Sequence, residues 1–227
     1  MTNISSCWLF KALKRTPFWV ILLSLLFSSI VHSDQPNSFE TNSSYKVLVL
    51  GDSLSAAYGL SAEQGWVSLL AQKWQQDNTP ISVVNAAISG DTTDGGLARL
   101  PRLLALHEPS HVYIELGGNN GLQGHNPKKI EQNLRALIEL TQQNEAKVIL
   151  QEMQIPSNYG TRYTKSFNAI YHDLAKQYEV PLVPFFLQEI GLNKELMQRD
   201  GIHPTAKAQP MIADALSNAL KEAILAE

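Results

Sequence analysis

Val47-Leu-Val-Leu50 is a short uninterrupted apolar run, and Gly51-Asp52-Ser53-Leu54-Ser55 closes it. Four consecutive apolar residues ended by a glycine are what a strand buried on both faces needs, because helices cover such a strand from both sides. The residues beyond it are small and polar, as at a strand-to-helix turn. Downstream, Trp66, Leu69, Leu70 and Trp74 recur at helical spacing as far as about Gln76, and Ile81–Val84 is a second apolar run.

The alternation then repeats. Leu97–Leu106 is helical with Pro101 near its start, and His111–Leu116 is a third strand. Pro127 opens the most regular helix, which carries Ile130, Leu134, Leu137 and Ile138 and ends near Gln142. Val148–Leu150 begins a fourth strand, Tyr163–Tyr178 is a helix, Pro181–Phe186 is a fifth strand, and Ala206–Ile224 is the closing helix. Five short strands alternating with helices predict an α/β fold with a five-stranded parallel sheet and helices on both faces, a three-layer α/β/α sandwich. Trp66 and Trp74 are expected in its core.

Composition agrees. The chain has 227 residues, 44% hydrophobic and 17% charged, with a formal net charge of −3. That excludes disordered and fibrous classes and gives no basic surface for nucleic acid. Near the start, Lys11, Lys14 and Arg15 precede the apolar run Phe18–Phe27, which thins into Ser28 and Ser29. A basic segment, a short apolar run and small residues form a secretory signal pattern, too short and diluted for a membrane span. Residues 1–33 are therefore expected to be a signal peptide cleaved near Ser33. Residues 34–44 then form a disordered lead-in, and 45–227 form the domain. Cys7, the single cysteine, leaves with the signal, so the mature chain would have no disulfide and no thiol nucleophile. The expected location is periplasmic or secreted, with no stable membrane anchor after cleavage. Monomer is the default.

In a parallel sheet the ligand crevice lies outside the carboxyl ends of the strands. Four segments follow strand ends: Gly51–Ser55, Asn85–Thr92, Gly117–Gly121 and Asp200–Pro204. Together they hold the parts of an acyl-transfer site. Ser53 is the nucleophile candidate, His203 the general base, and Asp200, three residues earlier, the group that fixes the imidazole. The backbone N–H groups of Ser53 and Gly90, with the Asn119 amide, are candidates for an oxyanion hole. No His-Glu-x-x-His, paired cysteines or Asp-x-Asp loop suggests a metal, and none is expected. His107, His111, His125 and His172 read as surface or structural, and Glu108 and Asp214 as solvated charges.

The blocks Gly51-Asp-Ser-Leu-Ser55, Gly90, Gly117-Gly-Asn119 and Asp200-Gly-Ile-His203 resemble those of the SGNH (GDSL) hydrolases. Ile88–Thr92, Gly96–Pro101, Ile155–Gly160 and Gly201–Pro204 are similar to the bacterial thioesterase/protease/lysophospholipase (arylesterase) branch. The resemblance implies a flavodoxin-like sandwich, the roles named above for Ser53, Asp200, His203, Gly90 and Asn119, and no cofactor. It also implies hydrolysis of acyl esters and thioesters, lysophospholipids among them. The Gly118–Gly124 loop would touch the acyl chain, which nominates Asn120, Gly121 and Leu122, with Tyr159, as substrate-binding. Asn120 stands where the family commonly has Asp. Two other readings use the same crevice: a periplasmic lipid- or anion-binding module without turnover, and a carbohydrate acetylesterase. Anion binding alone needs neither His203 nor Asp200.

Overall fold

The computed structural model describes residues 44–225. The leader read over residues 1–33, Cys7 and all but the last residue of the lead-in lie outside the described residues. The strands are β1 (Tyr45–Gly51), β2 (Ile81–Asn85), β3 (His111–Glu115), β4 (Lys147–Gln151) and β5 (Leu182–Val183). All pair in parallel, in the order β2-β1-β3-β4-β5. Val47 lies opposite Val83 on one side and His111 on the other, so β1 is an interior strand and its Val47–Gly51 stretch is buried. This is the doubly wound, flavodoxin-like order, whose direction reverses between β1 and β3.

Helices α1 (Trp66–Gln76) and α6 (Gln209–Leu225) pack on each other, and α2 (Thr93–His107), α4 (Pro127–Gln143) and α5 (Thr161–Tyr178) pack in series. Trp66 and Trp74 of α1 are fully buried, and the Trp74 indole N–H donates to Ser217 Oγ on α6 at 2.9 Å. Truncating a core aromatic of this kind typically costs about 3–5 kcal/mol. Pro127 opens α4, with Asn126 Oδ1 accepting from the Lys128 N–H at 3.0 Å.

Three elements differ from the sequence reading. Helix α2 begins at Thr93 rather than Leu97, so Pro101 sits inside it. The helix starts ahead of Gly95 and Gly96 because Thr92 Oγ1 accepts from the Gly95 N–H and Asn120 Oδ1 accepts from Thr93 N. A short helix, α3 (Gly118–Leu122), replaces the expected loop. Strand β5 is two residues long because Pro181 and Pro184 flank it and Pro184 has no N–H to donate.

Candidate active site

Strands β1 and β3 stay paired to their last residues, Gly51 and Glu115, and the segments after them line a shared crevice. After β1, the Ala56 and Tyr58 N–H groups return to the carbonyls of Asp52 and Ser53, which winds the chain into a turn around Ser53. The segment after β2 is tied to this turn: Ile88 N–H donates to Gly51 O, and the Asn85 amide donates to Ser55 O at 3.0 Å. Arg99 of α2 fixes the next residues. Its Nε and Nη2 donate to Asp91 Oδ2 at 2.9 and 2.7 Å, and its Nη1 donates to Ala86 O at 2.7 Å. Gly90, between these anchors, has φ +81°, a left-handed conformation that favours glycine.

Asp200 and His203 occupy a turn without helix or strand, and Asp200 builds it. Its Oδ1 accepts from the N–H groups of Ile202 and His203 at 2.9 and 3.0 Å, and its Oδ2 lies 2.7 Å from His203 Nδ1. With Nδ1–H donating to that carboxylate, His203 Nε2 is left as the acceptor for the Ser53 hydroxyl, 2.8 Å away. Burial pushes the Asp200 carboxyl up, but the two backbone N–H groups and the His203 ring outweigh it and bring its pKa to about 2. The side chain is therefore an anion at any working pH.

Gln198 couples the two halves. Its Nε2 donates to Tyr58 O at 2.8 Å and Pro204 O at 3.0 Å, and its backbone N–H donates to His203 O at 2.7 Å. The Tyr58 ring lies 4.3 Å from the His203 ring, tilted by 33°. Asn119 enters from α3, and its Nδ2 donates to Asp52 Oδ2 at 3.1 Å and to Asp91 O at 2.9 Å. Ser53, His203 and Asn119 share a cavity of about 460 Å³ whose walls include Leu122, Met153, Ile155, Phe185 and Leu187.

Of the four residues nominated to bind substrate, Leu122 lines the cavity and the other three do not. Asn120 is fully buried, with Oδ1 on the α2 N-terminus and Nδ2 3.1 Å from His125 Nδ1. Gly121 is buried where a Cβ would lie 2.6 Å from Ile155 and 2.8 Å from Phe167. Tyr159 faces a separate depression of about 810 Å³ and braces the loop from there, donating to Leu122 O at 2.7 Å. Asn120, Gly121 and Tyr159 thus support the wall from outside the cavity. His111 is buried beside Ser110, while His125 and His172 are exposed. Among the described residues no cluster of three or more His, Cys, Asp or Glu side chains could hold a metal, and no helix is long and apolar enough to cross a membrane.

Sequence reading missed Asp52, Arg99, Gln198 and Glu115. Arg99 holds the Asp91 carboxylate and the Ala86 carbonyl, Gln198 holds backbone carbonyls, and neither leaves a spacing signature. Glu115 did leave one: it is an acidic residue inside the apolar run of β3.

The family model described as the GDSL-like Lipase/Acylhydrolase family matches residues 49–209. The thioesterase 1/protease 1/lysophospholipase L1 of Escherichia coli (strain K12) is 48% identical over 184 residues, spanning 81% of this chain and 87% of its own. The esterase TesA of Pseudomonas aeruginosa is 48% identical over 175 residues, 77% of this chain and 87% of its own. Among solved structures, the psychrotrophic esterase EstA of Pseudoalteromonas sp., inhibited by monoethylphosphonate, matches with a TM-score of 0.77 and 44% identity. That match covers 78% of this chain and 97% of EstA.

Proposed function

The chain belongs to the GDSL-like lipase/acylhydrolase family, and from that premise we propose how it cleaves acyl esters and thioesters. Ser53 is the nucleophile, His203 the general base and Asp200 the carboxylate that orients it. The carrying observation is the continuous line Asp200 Oδ2, His203 Nδ1, His203 Nε2, Ser53 Oγ, with steps of 2.7 and 2.8 Å.

In acylation, Ser53 Oγ attacks the acyl carbon while its proton passes to His203 Nε2, and the carbonyl π-pair moves to oxygen. The N–H groups of Ser53 and Gly90 and the Asn119 amide receive that oxyanion; each such donor is typically worth about 3–4 kcal/mol in the transition state. As the carbonyl re-forms, the alcohol or thiol leaves and takes the proton from His203. In deacylation, His203 removes a proton from water, the resulting attack repeats the sequence, and Ser53 is released protonated. Asp200 stays ionised throughout and compensates the transient imidazolium.

The substrate is an apolar acyl chain. Apolar cavity walls, with Leu192 85% and Ile202 39% exposed among the lining residues, support this over an acetylated carbohydrate. The basic-apolar-small pattern of residues 11–33 supports export to the periplasm or outside the cell, where a lysophospholipid or another envelope ester is available and acyl-CoA is not. A monomer suffices for this chemistry, because Ser53, Asp200, His203 and Asn119 come from one chain.

The test compares the protein from Asp34 onward with its Ser53→Ala variant on p-nitrophenyl esters of graded acyl length at about pH 8. Turnover that a chelator leaves untouched, and that falls by about 10⁴-fold or more in the variant, is the expected result. Turnover surviving in the variant removes Ser53 as the nucleophile, and tight ligand binding without turnover favours a binding module. Mass analysis of the exported protein tests cleavage near Ser33.

A further inference from the structure

Behind the nucleophile lies a carboxyl group that the triad does not use. Glu115, the last residue of β3, is fully buried. Its Oε2 accepts from the Ser55 hydroxyl at 2.7 Å and from the Asp52 backbone N–H at 3.2 Å. Its carboxyl thus lies against Asp52, and its Oε1 has no hydrogen-bond partner among the described residues. Gly51 makes this space: a Cβ there would lie 2.7 Å from Glu115 Oε2 and 2.9 Å from Ser55 Oγ.

Two carboxylates side by side in a site closed to water do not both ionise; one keeps its proton. Burial, and then the charge of Asp52, push Glu115 well above the usual carboxylate range. Burial raises Asp52 to about 6, restrained by the Leu54 N–H, by Glu115 and by His203, with Asp91 opposing. Tyr113 and Tyr171, the other titratable groups packed here, are fully buried and pushed up too, so they bring no charge. Of the two, Glu115 is the more strongly pushed toward its protonated form and Asp52 the one more favoured to carry the charge.

We infer that Glu115 and Asp52 share one proton and that this buried pair positions the Asn119 amide for the oxyanion. The inference rests on the serine hydrolase reading above. Asp52 Oδ1 accepts from Leu54 N at 3.0 Å, which leaves Oδ2 to hold Asn119 Nδ2. The second amide hydrogen of Asn119 rests on Asp91 O. An oxyanion takes that hydrogen, while Asp52 keeps the first and fixes the amide plane. A neutral Glu115 also limits the charge behind the developing oxyanion to one, where two would oppose it. Glu115 and Asp52 act through Asn119 and are positioning residues.

Steady-state kinetics at about pH 8, with wild type and Ser53→Ala as controls, test the pair separately from the serine reading. Asp52→Asn has one acceptor for two donors and is expected to lower kcat about tenfold or more with KM within about twofold, a fraction of one oxyanion donor's effect. Adding Asn119→Ala to it should cost no more than Asn119→Ala alone. Glu115→Leu should lower kcat similarly, and Glu115→Gln, an uncharged donor and acceptor, should recover most of the loss. Unchanged kcat in Asp52→Asn, losses that multiply in the double variant, or Glu115→Gln as impaired as Glu115→Leu would each overturn the inference. If Glu115→Leu does not fold, the infrared carbonyl band of a protonated acid decides. It is expected in the wild type at about pH 8 and lost in Glu115→Gln, and its absence from the wild type would overturn the shared proton.

Discussion

Asp200 and Asp52 are the same side chain in two settings beside Ser53, the proposed nucleophile. Asp200 stands in a half-open turn that it holds together itself, with two backbone N–H groups and an imidazole on its oxygens, and its pKa is drawn down to about 2. Asp52, the residue before Ser53, is buried against a second carboxyl group and raised to about 6. The first environment supplies donors and keeps the charge; the second withholds water and barely tolerates it. Acid–base roles here are set by what surrounds each carboxyl, not by its distance from the nucleophile.

The strongest attempt to break this contrast is Asp200→Asn. It removes the acceptor that selects the His203 tautomer and should lower kcat by as much as about 10⁴-fold with little change in KM. A loss near that of Asp52→Asn would erase the distinction. Next, Asn119→Ala deletes one oxyanion donor, and a fall of about 10²–10³-fold in kcat is expected. Thermal unfolding across pH then compares the two aspartates directly. The depressed pKa of Asp200 contributes stability that is present above its ordinary 3.8 and lost as pH falls through about 2. Asp200→Asn should therefore lose ground to the wild type as pH rises through that window. The raised pKa of Asp52 works the other way, with stability present below 3.8 and lost as pH rises through about 6. Asp52→Asn should gain on the wild type over that range, and equal signs for both variants would refute the assigned environments. The smallest effect is expected from Gln198→Ala, which cuts the link from Tyr58 O to the His203 turn. About a 3–10-fold drop in kcat, read at saturating ester, would be consistent with a lost geometric tie.

Much of this arrangement was legible beforehand, for reasons that differ by element. Val47–Leu50 and Val112–Ile114 read as strands because burial on both faces favours an unbroken apolar run, and Pro127 announced α4. The Ser53 and Asn119 segments were recognisable because each follows a strand and carries a residue type the chemistry requires, and the His203 segment because Asp200 stands three residues before the histidine, although it lies well beyond the end of β5 at Val183. Helix α3 was not, because Gly-Asn-Asn-Gly has little helical preference of its own and is held by Asn120 and the Gly117 carbonyl. Nor was the inward turn of Asn120, since an amide that caps a distant helix looks, in sequence, like one facing a ligand. The partnership of Asp52 with Glu115 joins residues far apart in the chain and depends on the β1–β3 register, which pairs Gly51 with Glu115.

The tie between α1 and α6 bears on when the molecule comes to life. Trp66 N–H donates to Gln209 Oε1 at 2.9 Å, and Trp74 reaches Ser217, so the helix after the nucleophile is clasped to the helix after the base. All five strands have been made by Val183, before Asp200 and His203 exist. A chain cut off at Val183 would thus carry every strand of the sheet and neither Asp200 nor His203, so the residues that complete the proposed site are the last of it to be synthesised.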